Sequence, residues 1–330
     1  MLKAAVPHWN RGFVFVLSCN LVIMLSNLKT VVLGTAIFLV ASSTFAQSFL
    51  ERGVASFNQG DLKQAERWFD WAIKSDSSDS MAWMNRGMVR RNRQNTKGAF
   101  EDFRASVELD SSNGDAHFMK ALTAFQLGRY DVSIDGNSTS IKLGNSYGSQ
   151  AYLNRAQTYV RLGRNKKALE DLSSAIKLKD SNLKQAHFDR GQVYMRMNEK
   201  KLALEDYKEV VKLNPKNLQL TWDIGRVSYE VEEYTDALAY YSKTIERIDK
   251  PQAQMLLVRG EVFEKLEQYE AAVQDYTRVI EMKENLANAH YLRGQATARL
   301  GKKEDACVDW KKAAELGHQE AKGVIVYNCK

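Results

Sequence analysis

Residues 184–217 read KQAHFDRGQVYMRMNEKKLALEDYKEVVKLNPKN, and the reading of this stretch decides the fold. Apolar side chains recur at helical spacing in two runs separated by a polar turn, the pattern of a helical hairpin. A small residue, Gly191, stands eighth in the stretch, Ala203 stands twentieth and Tyr207 four residues later. Small residues let two helices approach closely, and a bulky residue four positions on lies on the same face and fills the gap. One such hairpin cannot bury its apolar face alone, so neighbouring copies must stack.

Such copies exist on both sides. The pattern recurs with a period of 34 residues in eight units: 46–79, 80–113, 114–147, 149–182, 184–217, 218–251, 253–286 and 287–320. The eighth position holds Gly53, Gly87, Ala121, Ala156, Gly191, Gly225, Gly260 and Gly294. The bulky position holds Phe69, Phe103, Leu172, Tyr207, Tyr241, Tyr276 and Trp310, with Asn137 the exception in the third unit. Together with Trp83-x-x-Arg86-Gly87 and Asn214-Pro215, this pattern resembles the tetratricopeptide repeat family. The resemblance implies an all-α, right-handed α-solenoid of about eight helix-turn-helix repeats. Residues after Gly317, with Ala321, Val324, Ile325 and Cys329 on one helix face, are expected to form a C-terminal cap spanning 321–330.

The chain has 330 residues, with 44% apolar and 26% charged, a composition that excludes disorder. Three cysteines are too few for a disulfide scaffold or a four-cysteine zinc site. Of the net charge of +7, residues 1–46 carry +3 through Lys3, Arg11 and Lys29, leaving +4 for the repeats. That mixed-sign balance does not suit a dedicated nucleic-acid binder.

Residues 1–46 read as an export signal region. From Met24 there is a short basic segment with Lys29, an apolar run Val31 to Ala41, and Thr44-Phe45-Ala46, which places cleavage before Gln47. Met24 is then the true start. The expected location is the periplasm or cell envelope; an uncleaved anchor using residues 13–46 is the alternative, and only then is membrane association expected.

The seventh position is arginine where the family has leucine, and an aspartate follows sixteen residues later in five units. The pairs are Arg86 with Asp102, Arg155 with Asp171, Arg190 with Asp206, Arg259 with Asp275, and Arg293 with Asp309. We read them as ion pairs joining the two helices of a unit. The third unit has Lys120 and Gly136 at these places and the sixth has Ile224 and Tyr240. The third unit is also expected to be the weakest, since Gly136 sits inside its second helix and Asn137 and Ser133 replace the bulky residue and the alanine. Cys307 and Cys329 flank Gly317 at 10 and 12 residues, so a turn there brings them to similar heights. The expectation is a disulfide, with two buried free thiols as the alternative.

No phosphate loop, Rossmann fingerprint, HExxH or Gly-x-Ser-x-Gly occurs, and neither a cofactor nor an enzyme is expected. His117, His187 and His290 share one structural slot in their units, which explains them better than metal ligation. The resemblance instead implies a non-catalytic scaffold that binds a protein or extended peptide in a concave groove. In that family the first helices line the groove, which here nominates Met81, Met84, Met88, Arg91, Phe118, Leu122, Phe125, Leu153, Arg161, Phe188, Met195 and Arg196. The family's carboxylate clamp is not expected, because Leu50 and Val54 stand at two of its positions. The alternative function is binding of an anionic envelope polymer by basic hairpin edges, Arg90, Arg91, Arg93 and Lys97 with Arg161, Arg164, Lys166 and Lys167.

Overall fold

A computed structural model describes residues 47–282 and 286–329. The export signal, its cleavage point, the start at Met24 and the anchor at 13–46 lie outside these residues. The described residues are helical throughout, without a strand. Two compact units divide at Asp180. The first holds α1 (47–58), α2 (Leu62–Ser75), α3 (Ser80–Asn92), α4 (Thr96–Leu109), α5 (Gly114–Gln126), α6 (Tyr130–Leu143), α7 (Gln150–Arg161) and α8 (Asn165–Leu178). The second holds α9 (Leu183–Arg196), α10 (Lys200–Leu213), α11 (Leu218–Glu230), α12 (Tyr234–Ile245), α13 (Ala253–Lys265), α14 (Tyr269–Glu281), α15 (Leu286–Arg299), α16 (Lys303–Glu315) and α17 (Gln319–Asn328). Within each unit, from α2 to α8 and from α9 to α17, every helix packs on the next in the chain. None of the described helices is long and apolar enough to cross a membrane.

The pairing of helices follows from the turn chemistry. The turn inside each of the eight hairpins places one residue at positive φ, at Gly60, Gln94, Gly128, Gly163, Asn198, Glu232, Glu267 and Gly301. Only half of these are glycine, so the turn geometry is imposed by the packed helices as much as by local preference. Side-chain caps start several helices: Asp61 accepts from Gln64 N–H, Asp79 from Met81 N–H, Asn95 from Gly98 N–H and Asn217 from Leu220 N–H.

The contact between paired helices is steric. A methyl group built on Gly87 would stand 2.7 Å from the Phe103 ring, and on Gly260 2.4 Å from the Tyr276 ring. The bulky residue therefore occupies the space the glycine vacates, and Phe69, Phe103, Leu172, Tyr241 and Tyr276 are fully buried. The alanines at the twentieth position, such as Ala65, Ala99 and Ala203, are likewise at 0% exposure.

The third unit solves the same contact differently. A methyl on Gly136 would meet Ala121 Cβ at 3.0 Å and His117 O at 3.1 Å, so α5 and α6 close on each other without an aromatic spacer. Asn137 is fully buried and donates to Ser133 O (2.9 Å), while Asn154 Nδ2 of α7 donates to Asn137 Oδ1 (3.3 Å). Ser133 Oγ meets Thr158 Oγ1 at 3.1 Å. A small polar network thus replaces the ring. Asn154 Oδ1 and Ser140 Oγ remain buried without a hydrogen-bond partner.

At the C-terminal end α17 packs on α16. Ala321 is buried and Val324, Ile325 and Cys329 are half-buried, His318 stacks on Tyr291 with ring centroids 4.1 Å apart, and Cys329 is joined to Cys307 by a disulfide.

Candidate functional site

The five arginine–aspartate pairs lie between the two helices of their units. Arg155 donates to Asp171 through Nε and Nη2 at 2.9 and 2.6 Å, and Arg190, Arg259 and Arg293 reach Asp206, Asp275 and Asp309 in the same forked manner. The forked fit strengthens such pairs beyond a point-charge contact. The hydrogen bonds that Arg155 donates to Asp171 raise the Arg155 pKa above its ordinary value, against the cost of burial. In the second unit Arg86 spans both Asp102 and Asp70 of the preceding unit. These arginines are consumed by structure and are not free to hold a ligand.

The histidine slot is structural as well. Trp83 Nε1 donates to Ser77 O at 2.9 Å and His117 Nε2 lies 3.0 Å from Ser111 O, whereas His187 and His290 bond Asp206 and Asp309 at 2.8 Å through Nδ1. The described residues contain no group of acids, histidines and cysteines that could hold a metal. The sequon Asn137-Ser138-Thr139 is closed to modification, because the Asn137 amide is buried and bonded.

The positions nominated for a binding face divide into two kinds. Met84, Phe118 and Leu153 are 7%, 2% and 1% exposed and belong to the core, which corrects their assignment to an open groove. The reason is visible at Phe118. The loop between α6 and α7 turns Tyr147 back over it, with ring centroids 4.6 Å apart, and Met84, Phe103 and Met119 complete the cluster. Burial pushes the Tyr147 hydroxyl up to about 12, with Asp115 adding to the shift. The loop itself is held by Ser146, whose N–H and Oγ donate to Asp115, and by Ser149, whose N–H and Oγ donate to Asp180.

The remaining positions keep exposed surface. In the first half Met81 is 40% exposed, Met88, Arg91, Leu122 and Phe125 are half-buried, and Arg161 is exposed. In the second half Phe188 and Met195 are half-buried and Arg196 is exposed. The basic edge is also divided. Arg90 and Arg93 pair with Glu66, and Arg90 also with Asp102, whereas Arg91 and Lys97 make no ion pair among the described residues. Arg161, Arg164, Lys166 and Lys167 are exposed, and none makes an ion pair among the described residues.

Sequence reasoning missed two features. At the first unit Arg52 lies over the Trp68 ring (5.0 Å), and Trp68, Trp71 and Phe49 form an aromatic cluster where later units carry the ion pair. In the second half Glu261 and Glu264 of α13 are held half-buried beside Tyr276, whose hydroxyl donates to Glu264 at 3.0 Å. Burial raises the pKa of both carboxyls.

The tetratricopeptide repeat family matches at residues 50–114, 149–182 and 185–217, and a further repeat description of the same family at 260–301. The chain carries tetratricopeptide repeats. These repeats have the paired-helix architecture described above in solved structures too. One is the C-terminal part of a TPR repeat-containing protein from Cytophaga hutchinsonii (15% identity, 72% of this chain and 97% of that one, TM-score 0.50). Another is the structure of Naa15/Naa10 bound to HypK-THB (14% identity, 75% of this chain and 39% of that one, TM-score 0.61). The YrrB protein, described as having an unusual peptide-binding site, aligns at 21% identity over 54% of this chain and 91% of its own, with a TM-score of 0.46. No curated protein matches the chain.

Proposed function

We propose that the chain is a non-catalytic scaffold of the cell envelope that binds a protein or an extended peptide on the surface that the first helices of the repeats present in each half. The observation that carries the reading is the partial exposure of Met81, Met88, Leu122 and Phe125 on that surface in the first half, and of Phe188 and Met195 in the second. Flexible methionines adapt to varied apolar partners. Arg91, Arg161 and Arg196 stand at the end of the same helices and suit acids flanking an apolar segment. Export is supported by the signal-like run ending at Ala46 and by the Cys307–Cys329 disulfide, which suits an oxidising compartment.

The test is capture of protein partners from envelope extract by the full chain and by a variant with Met81, Met88 and Leu122 all changed to Ser. Loss of capture with helix content retained is expected; undiminished capture contradicts the reading. N-terminal sequencing of exported protein that begins before Gln47 would contradict the cleavage assignment.

A second reading, binding of an anionic envelope polymer, is favoured by the exposed and unpaired Arg161, Arg164 and Lys166. Polymer binding would weaken steeply with added salt, whereas capture of an apolar peptide would not.

A further inference from the structure

The third and sixth units carry an aromatic residue at the same place, the fifth position, as Phe118 and Trp222. Their surroundings differ. Over Phe118 the chain lays its own Tyr147, the last residue of that unit, with ring centroids 4.6 Å apart. The last residue of the sixth unit is Pro251, which supplies no aromatic ring. What remains beside Trp222 is a cleft of about 400 Å³ between the first turns of α11 and α13, within the range of ligand-sized pockets.

The walls of this cleft fit an aromatic ring. Leu218, Trp222, Ile248 and Met255 supply apolar surface. Trp222 is held from behind by Tyr241, ring centroids 4.3 Å apart, so it offers a fixed platform. Offset or tilted ring contacts of this kind contribute beyond the area they bury. At the rim stand the exposed side chains of Gln219, whose Nε2 donates to Asp223 Oδ2 at 3.4 Å, and of Gln254, whose amide can hydrogen-bond a peptide main chain. Lys250 is the one charged residue in the lining among the described residues, and the lining itself holds no carboxylate.

We propose that this cleft receives one aromatic side chain, tyrosine or phenylalanine, from an extended segment of a protein partner that carries an acidic residue beside the ring. The inference rests on the protein-binding reading above and names the chemistry of its partner. Tyr147 on Phe118 is the molecule's own example of the occupied state, and Lys250 supplies the charge complement for the acid. The sixth unit is thus the receptive version of a contact that the third unit has closed with its own side chain.

The experiment measures fluorescence anisotropy of a labelled acetyl-Ala-Ala-Tyr-Asp-Ala-Ala-amide peptide on the full chain. Replacing the peptide tyrosine by alanine is expected to weaken binding about tenfold, the size expected of a central aromatic anchor. Replacing its aspartate by lysine is expected to weaken binding by about threefold, the size of an exposed ion pair. In the protein, Pro251→Tyr should plug the cleft as Tyr147 does in the third unit and weaken binding about tenfold. Pro251 lies in the loop outside the helices, so this variant keeps its fold where Trp222→Ala, which undercuts Tyr241, could lose it. Equal binding of the tyrosine and alanine peptides, no binding at millimolar peptide, or unchanged binding by Pro251→Tyr overturns the proposal. Self-association of the full chain that is lost in both Pro251→Tyr and Tyr327→Ser would assign the cleft to a second copy through the exposed Tyr327 and also overturns it. If Pro251→Tyr leaves partner capture from extract intact, this inference fails alone. If the unaltered chain captures nothing, the broader reading fails with it.

Discussion

The third and sixth units have each lost the arginine–aspartate pair, and they compensate in opposite ways. The sixth places Ile224, at 0% exposure, in a cluster with Tyr207, Leu220 and Val227, and packs Tyr240 against it. The third has Gly136 at the aspartate position and Asn137 at the bulky one, closes α5 directly on α6, and threads hydrogen bonds in which Asn137 donates to Ser133 O and accepts from Asn154 Nδ2. A buried ion pair is therefore replaceable in this architecture: the third and sixth units change both positions, and the first keeps Arg52 but lays it over the Trp68 ring. Burial of two charges costs so much solvation that well-packed apolar groups do as well. The third unit's polar solution is the less complete one, since Asn154 Oδ1 and Ser140 Oγ stay without partners.

The largest effect should come from breaking a pair that neither unit has. Asp171→Ala strands the half-buried Arg155 and should cost about 4 kcal/mol in denaturant unfolding. Next is Ile224→Ala, which opens a cavity in the sixth unit's apolar substitute at about 3 kcal/mol. In the third unit, Asn137→Ala leaves the Asn154 amide unpaired and should cost about 2 kcal/mol. Amide exchange in α6 should be faster than in any other internal helix, and exchange as slow as in α12 would remove the distinction between the two units. The smallest effect concerns pH. Glu261 and Glu264 have folded pKa values raised by burial above the ordinary 4.5, so they bind protons more tightly folded than unfolded. Their contribution is fully present below about pH 4.5 and is lost as pH rises through the raised folded value. Glu261→Gln should therefore raise the melting temperature at pH 7 by about 2 °C, with the gain vanishing near pH 3.

The paired helices were legible because each depends on a few residues at fixed spacing. Gly87 against Phe103 and Gly260 against Tyr276 are one steric rule repeated, and Arg155 with Asp171 is one charge rule repeated. The candidate binding face was legible only in part, because a repeat position does not reveal what a neighbouring loop lays over it. Phe118 and Trp222 occupy identical positions, yet Tyr147 covers the first and nothing in the sixth unit's own loop covers the second. The clue lay in residues 144–149, where Gly144 takes a positive φ and Gly148 is the extra residue between the third and fourth units. The basic edge at 90–97 was legible in part for a similar reason: Glu66 of α2 pairs with both Arg90 and Arg93, which the local sequence does not reveal.

The Cys307–Cys329 bridge changes how the C-terminal half comes apart. An array whose helices touch mainly their neighbours loses structure from its ends inward, one helix peeling at a time. Here α17 cannot peel alone, because its far end is covalently fixed to α16 across a sequence separation of 22 residues. A ring of that size removes about 3 kcal/mol of freedom from the opened state. The last helix of this half thus behaves as a latch on the one before it, and fraying there must wait until α16 itself lets go.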